Sequence, residues 1–184
     1  VPSRNTWSNT NTAFSRKCGQ AGFIGMVWPK QYGGHERSAL ERYVLVEELL
    51  AAGAPVVAHW IADRQSGPSI LRFGSEAQKR KFIPAIVAGE CFFCIGMSEP
   101  NTGSDLASAR TRATKVDGGW VINGRKHYIN GAHDADFITL IAITDPVKRT
   151  RGGVTAFLVD RGTPGFNVTR VDTTMGSDVI KLAE

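Results

Sequence analysis

The feature that most constrains the fold of this chain is a change of periodicity near residue 90. Before it, apolar residues recur at helical spacing, and after it short β-prone runs alternate with clusters of Gly, Pro, Asn and Asp. A helical half followed by a β half excludes alternating βαβ units, since these need strands and helices in turn along the chain. The pattern therefore predicts an α+β protein, with an α-helical part at 1–89 and an antiparallel β part at 90–184.

The apolar residues of the first half predict three helices. One apolar stripe recurs at steps of four, three and four along residues 39–50, and residues 56–61 form a second apolar stretch. A third helix begins at Ser75, whose spacing to Gln78 is that of a capping box, and ends near Gly89. The residues predicted to form its buried face are Phe82, Ile83, Ile86 and Val87.

The second half reads as strands joined by turns. Asp117-Gly118-Gly119 is a strong signal for a tight hairpin turn, because glycine and aspartate tolerate the backbone conformation that such turns need. The β-prone runs lie at 91–97, 109–116, 120–123, 126–130, 137–144, 153–159 and 166–171. We expect these runs to pair mainly in antiparallel fashion.

The composition is that of an ordinary globular protein. Hydrophobic residues make up 42% of the 184 residues and charged residues 21%, which excludes a disordered tail and a disulfide-dense miniprotein. The net charge of +5 is spread over mixed segments without interleaved aromatics, so we expect no nucleic-acid partner. No apolar run approaches the roughly 18 residues that cross a bilayer, and the low cysteine content suggests a reducing compartment. These features predict a cytoplasmic protein without a membrane span.

The motif formed by Cys91 and Cys94 is interpreted as core packing. In a buried strand, positions three apart face opposite sides of the sheet, so the two thiols could not share a metal ion. No second cysteine pair completes a four-ligand zinc site. His59 and Asp63 stand at i and i+4 on a predicted helix and are close enough to pair, which we interpret as local structure. The sequence therefore predicts no metal site.

The most distinctive segment is the polar loop at residues 96–106, which follows an apolar strand. Its glycines let backbone N–H groups approach an acceptor, and the hydroxyls of Ser98 and Ser104 add short-range hydrogen bonding. Such a loop could hold a heteroaromatic ring edge or a phosphate, or could simply be a turn that caps the strand. His127 and His133 flank a second possible site loop, without partner ligands at metal-binding spacing.

Residues 97–105 resemble the first signature of the acyl-CoA dehydrogenase family, in the form M-S-E-P-x-x-G-S-D. Stretches at 28–34, 73–90 and 122–132 resemble further parts of the same family in the same order. Four ordered motifs are much more specific than one. The resemblance implies the family's N-terminal α-helical domain at 1–89 and an antiparallel β-barrel-like middle domain at 90–184, which agrees with the organisation derived above.

The resemblance also implies a function and a cofactor. Family members bind FAD non-covalently and oxidise the Cα–Cβ bond of an acyl-CoA thioester, with a glutamate as base and hydride transfer to the flavin. Their electrons pass to an electron-transferring flavoprotein, and members are commonly homo-oligomers. Carried over by position, Ser104 would touch the acyl-CoA. The residues expected to contact FAD are Ile95, Gly96, Met97, Ser98, Tyr128, Ile129 and Asn130.

The sequence departs from the family pattern in three ways. Tyr128 stands where the family usually has tryptophan, and Asn130 stands where a Thr or Ser hydroxyl commonly reaches the flavin. The family's catalytic glutamate belongs to a C-terminal domain that has no counterpart here. No residue is therefore assigned as catalytic, and we expect these 184 residues alone to be inactive.

Two alternatives remain open. The same fold could host a flavin oxidase or monooxygenase, because one fold supports different chemistries. The chain could also be a non-catalytic module that binds acyl-CoA or a partner protein. Oxygen consumption with peroxide formation would favour the oxidase, and a yellow protein that an acyl-CoA bleaches would exclude the binding module.

Overall fold

The computed structural model describes residues 10–174 and 177–184. Helices occupy the first half of the described chain and strands the second half, which confirms the α+β class. The α-helices are α1 (Thr12–Gln20), α2 (Ala39–Ala51), α3 (Val57–Ile61), α4 (Gly67–Phe73) and α5 (Glu76–Val87). The strands are β1 (Phe93–Gly96), β2 (Arg112–Val116), β3 (Gly119–Asn123), β4 (Ile129–Asn130), β5 (Phe137–Ile143), β6 (Val154–Asp160), β7 (Val171–Thr174) and β8 (Ser177–Ala183).

The described residues form two compact units. The helical unit comprises residues 10–93 with 177–180, and the β unit comprises residues 94–174 with 181–184. The expected domain ranges, 1–89 and 90–184, stay a prediction.

Local capping defines the starts of α2 and α5. The Ser75 hydroxyl accepts the Gln78 N–H and the Gln78 side chain accepts the Ser75 N–H, so the predicted capping box is present. Ser38 and Glu41 form an equivalent box at α2. The predicted face of α5 is buried, whereas no residue of α2 is buried and its apolar stripe lies exposed in the described chain. α5 is therefore a core helix of its unit and α2 is not.

The sequence-based expectations missed two helical segments. α1 is polar and lacks an apolar stripe, and it begins at Asn11, whose side chain accepts the Phe14 N–H. The second is α4: after α3 ends at Ile61, the chain continues through a π-helical turn, Ala62–Ser66, into α4. The Gly67 N–H closes this turn by donating to the Ala62 carbonyl, five residues earlier.

The stretch at residues 28–34 is structural. The Trp28 side chain is 3% exposed, and a Cβ atom built on Gly67 would lie 2.5 Å from its Cζ2 atom. A Cβ on Gly34 would meet the backbone of Trp28 at 2.5 Å from the carbonyl carbon. Because nothing larger than hydrogen fits at these positions, the glycines allow the indole to fill the core of the helical unit.

The β unit contains two sheets. In the first, the strand order is β1-β5-β2-β3, and β6 also pairs with β5. In the second, the order is β4-β8-β7. β2 and β3 form the predicted hairpin, with Val116 opposite Gly119 and Gly118 at φ 78° in the two-residue turn. β5 and β6 are antiparallel, but β2 meets β5 in parallel at Arg112 and Ile143. The described strands thus form mixed and antiparallel sheets without closing a barrel.

Two strand expectations were wrong in detail. The run at 166–171 is not a strand along its length, since β7 begins at Val171. β8 was not expected at all, although it pairs with β4 through Ile129 opposite Ala183 and Asn130 opposite Leu182. The buried cluster that these elements enclose consists of Cys94, Ile129, Ala132, Ala135, Ile138 and Ala183.

Candidate functional site

The two segments predicted to contact a flavin lie side by side in the β unit. The His127 N–H donates to the Ser98 carbonyl at 2.9 Å. The Lys126 ammonium donates to the Met97 carbonyl at 3.0 Å. The structure therefore joins the end of β1 to the start of β4, although about 30 residues of chain separate them.

The side chains at this junction alternate between core and surface. Gly96 and Ile129 are buried, and a Cβ on Gly96 would lie 3.0 Å from Leu140 Cδ1. Met97 is 39% exposed and Tyr128 is 57% exposed. The other site residues are Ile95 and Ser98, which are partly buried, and Asn130, which is exposed.

The junction presents polar groups that the chain does not use. Among the described residues, no hydrogen bond engages the Ser98 N–H, the Ser98 hydroxyl or the Asn130 side-chain amide. These donors adjoin an exposed thioether and an exposed aromatic ring. An aromatic and apolar surface with unpaired donors at its border suits a planar heteroaromatic ligand with polar edge atoms.

A buried ion pair supports the junction from beneath. Lys126 Nζ lies 3.0 Å from Glu99 Oε1, and both side chains are 7% exposed. The Glu99 carboxylate also accepts the Arg110 N–H at 2.7 Å and the Thr111 N–H at 2.9 Å. Burial raises the pKa of Glu99, but hydrogen bonds from Thr111, Arg110 and Lys126 outweigh it and lower the pKa to about 2. Burial lowers the pKa of Lys126, and Glu99 opposes that shift.

Ser104 lies apart from these segments in the contacts of the described chain. Glu99 and Thr102 close a tight turn, with the Thr102 N–H donating to the Glu99 carbonyl at 3.1 Å. Ser104 follows on an exposed loop, and Asp105 then accepts the Ser108 hydroxyl at the next turn. The structure joins the two segments that were expected to contact FAD, and no hydrogen bond among the described residues joins Ser104 to either of them.

His127 and Tyr128 form an unexpected feature of the junction. Tyr128 has φ 59°, the left-handed region that an aromatic residue rarely adopts. The two rings stack, with centroids 3.9 Å apart and planes 12° from parallel. His127 Nε2 lies 3.0 Å from Asp172 Oδ2 and 2.9 Å from an Arg170 guanidinium nitrogen.

The other candidate residues have structural surroundings. The described cysteines form no disulfide, and burial raises the pKa of the Cys94 thiol to about 12, so it is not a thiolate at neutral pH. His59 bonds to the Ser15 hydroxyl at 2.8 Å instead of to Asp63. Asp63 accepts Arg42 at 2.8 Å and the Gly25 N–H at 2.8 Å. No cluster of three potential metal ligands occurs among the described residues.

The sequence motifs did not identify Lys126, Asp172 and Arg170 as residues of the candidate site. In a regular strand Lys126 would share the exposed face of Tyr128, whereas the structure buries both Lys126 and His127. The positive φ of Tyr128 breaks the alternation that strand patterns assume. The sequence signal that could have identified this part of the site is a lysine next to a histidine inside a β-prone run.

Comparison with known proteins identifies the family. The profile described as "Acyl-CoA dehydrogenase, N-terminal domain" matches residues 1–90, and that described as "Acyl-CoA dehydrogenase, middle domain" matches residues 94–184. The chain belongs to the acyl-CoA dehydrogenase family. The family consists of oxidoreductases. The family membership that the sequence motifs predicted is confirmed.

Individual relatives agree. "Acyl-CoA dehydrogenase FadE29" of Mycobacterium tuberculosis is 40% identical over 159 residues, which cover 86% of this chain and 41% of that protein. The "Tcur3481-Tcur3483 steroid ACAD" structure has a TM-score of 0.88 and 34% identity, and the match covers 100% of this chain and 49% of that one. A glutaryl-CoA dehydrogenase of Mycobacterium smegmatis in complex with FADH2 has a TM-score of 0.81 at 29% identity, with 99% and 47% covered.

The chain spans about 41% of the length of this curated relative and about half the length of these acyl-CoA dehydrogenase family structures. Among the residues that the structure describes, no helix is both long and apolar enough to cross a membrane.

Proposed function

We propose that the β unit forms part of the FAD site of an acyl-CoA dehydrogenase, with Ile95–Ser98 and Tyr128–Asn130 against the flavin. The observation that carries this proposal is the junction itself, where the His127 N–H holds the Ser98 carbonyl at 2.9 Å. The two segments came from separate motifs in the sequence, and they meet with unpaired donors and an exposed aromatic ring. This donor set fits the polar edge and flat face of a flavin.

Each exposed group of the junction has a role in this proposal. The N–H and hydroxyl of Ser98 donate to the polar edge of the ring system, where donors stabilise negative charge. Asn130 offers an amide N–H where the family usually has a hydroxyl. Tyr128 supplies an aromatic face beside the ring system, in place of a larger indole. When bound, FAD supplies the redox chemistry, and these residues bind and orient it.

The substrate and partners are further parts of the proposal. We assign an acyl-CoA thioester as substrate, with Ser104 on its exposed loop as the contact. An electron-transferring flavoprotein is the proposed electron acceptor, and the active protein is a homo-oligomer. A cytoplasmic location is retained because cysteines without disulfides suit a reducing compartment. The domain ranges 1–89 and 90–184 belong to this proposal as well.

The 184 residues alone are proposed to be inactive. A general base for this reaction needs an accessible carboxylate with a pKa near the working pH. Glu99 lies in the signature segment, but it is 7% exposed, its pKa is about 2, and Lys126 and two backbone N–H groups occupy its oxygens. Glu99 therefore supports the loop and is not a base.

A flavin titration of the 184-residue chain tests the proposal. We expect little flavin on the purified chain, and binding of added FAD detected by quenching of its fluorescence. Ser98→Ala removes one hydroxyl and is expected to weaken binding by roughly twofold to tenfold. Tyr128→Leu is expected to weaken it by a similar factor. Tyr43→Leu is the matched control, because Tyr43 is 63% exposed in the helical unit.

Three outcomes would contradict parts of the proposal. Absence of FAD binding at any concentration would leave the non-catalytic binding module as the alternative. Equal binding by the Ser98 and Tyr128 variants would place the flavin elsewhere. Bleaching of the flavin by an acyl-CoA would show that the chain is active alone, and peroxide formation during that reaction would favour an oxidase.

A further inference from the structure

The exposed ring of Tyr128 rests on a buried partner. The His127 side chain is 9% exposed, and its imidazole lies parallel to the Tyr128 ring at a centroid distance of 3.9 Å. Tyr128 itself is 57% exposed and has a backbone conformation unfavourable for its residue type. Such a conformation persists only where the surrounding structure holds it. The stacked imidazole and the buried neighbour Ile129 are the groups that hold it here.

The imidazole is in turn held in one orientation by charged groups. Its Nε2 atom lies 3.0 Å from Asp172 Oδ2 and 2.9 Å from Arg170. The Arg170 guanidinium also contacts both carboxylate oxygens of Asp172, with Nε 2.7 Å from Oδ1 and a terminal nitrogen 3.1 Å from Oδ2. Glu184 Oε2 lies farther away, 4.0 Å from Nε2, and its Oε1 faces Arg125 at 3.4 Å. Nε2 donates to Asp172 if it carries the proton and accepts from Arg170 if it does not, so in either tautomer the ring is held at this nitrogen.

We propose that His127 is a positioning residue for the cofactor: it fixes the plane of the Tyr128 ring, and Asp172 with Arg170 fixes the plane of His127. This inference rests on the proposed function, in which Tyr128 lies beside the flavin. His127 touches no cofactor and acts through Tyr128.

A purely structural role for His127 makes a different prediction. If the side chain only fills space, leucine and phenylalanine should replace it equally well. If it presents a flat ring to Tyr128, phenylalanine should preserve the stack and leucine should not, because aromatic pairs depend on ring geometry. His127→Phe and His127→Leu are therefore a matched pair that separates the two roles.

The first measurement needs no flavin. The chain has three tyrosines, so the aromatic NMR signals of Tyr128 can be assigned by comparison with Tyr128→Leu. We expect the Tyr128 ring signals to carry a ring-current shift that His127→Phe retains and His127→Leu loses. Asp172→Ala is expected to reduce the shift, since the imidazole then lacks its anchor. An unchanged shift in His127→Leu would overturn the proposed stack.

The second measurement is the affinity for added FAD in the same variants. His127→Phe is expected to bind within about twofold of the unsubstituted chain, and His127→Leu roughly twofold to tenfold more weakly. If Tyr128→Leu weakens binding but His127→Leu does not, Tyr128 acts without His127 and this inference fails while the proposed function stands. If Tyr128→Leu also binds FAD normally, the proposed function fails and this inference fails with it.

Discussion

The substitution Lys126→Met tests whether the buried ion pair holds the junction together. In the structure Lys126 donates to Glu99 Oε1 and to the Met97 carbonyl, each at 3.0 Å. Methionine fills a similar volume but donates to neither acceptor. The Glu99 carboxylate would then remain buried with the N–H groups of Arg110 and Thr111 as its partners.

The expected loss follows from this arrangement. Removing one partner of a buried ion pair costs about 3–5 kcal/mol, because the other charge stays buried without compensation. The pKa of Glu99, at about 2 against an ordinary value of 4.5, reflects all of its partners together, and the hydrogen bonds from Thr111 and Arg110, which Lys126→Met leaves in place, are larger causes than that from Lys126. At about 1.4 kcal/mol per pH unit, this difference contributes about 3 kcal/mol to the free energy of unfolding at neutral pH.

The same shift fixes the sign of the pH dependence. The pKa of Glu99 is lower in the folded state, so its contribution is present above the unfolded value of 4.5 and is lost as the pH falls toward 2. Glu99→Gln removes the titrating group, and we expect its stability to fall less than that of the unsubstituted chain between pH 5 and about 2.

Urea unfolding at pH 7, with hydrogen exchange at the Arg110 and Thr111 amides, measures the effect of Lys126→Met. Hydrogen exchange at these two amides reports on the β unit itself. This second measurement is needed because the two units need not unfold together. Lys115→Met is the control, since Lys115 is exposed on β2 and should change stability by about 0.5 kcal/mol or less. A loss below about 1 kcal/mol for Lys126→Met, with unchanged amide exchange, would refute the reasoning.

Two further substitutions test the backbone. Gly67→Ala should destabilise the helical unit by about 1–3 kcal/mol in urea unfolding, because the new methyl group overlaps the Trp28 ring. Gly103→Ala, where a Cβ meets nothing within 4 Å, should be nearly neutral, and equal effects would contradict this packing. Tyr128→Gly should be about 1 kcal/mol more stable than Tyr128→Ala, because alanine is strained at φ 59°. The reverse order would show that the residue relaxes to another conformation.

Sequence patterns predicted the elements that are defined locally. The Ser75 capping box and the apolar face of α5 are encoded within α5 and its N-cap, and the turn of the β2–β3 hairpin is encoded by Asp117 and Gly118. β8 could not be predicted in this way, because it pairs with β4 about 50 residues earlier in the chain. The sequence did not predict the π-helical turn, because Gly67 and Pro68 resemble a helix break. In the structure Gly67 is needed for its close packing against Trp28.

The candidate site also contains features that the sequence predicts and features that it does not. The unpaired donors at Ser98 and Asn130 follow from their positions in recognisable motifs. The burial of Lys126 and His127 does not, because it depends on the left-handed backbone at Tyr128 and on Asp172, which lies about 45 residues away in sequence. Motifs indicated the proposed ligand surface, whereas the charged groups that support it are brought there by tertiary contacts.

The most direct test of the central claim is a map of FAD-induced changes in the backbone amide NMR spectrum of the 184-residue chain. We expect the amide signals of Ile95–Ser98 and Tyr128–Asn130 to shift together as FAD is added. The Ser98 amide should be among those that shift most, because its N–H has no partner among the described residues. Shifts confined to the helical unit, or shifts in one of the two segments without the other, would contradict the claim that they form one flavin surface.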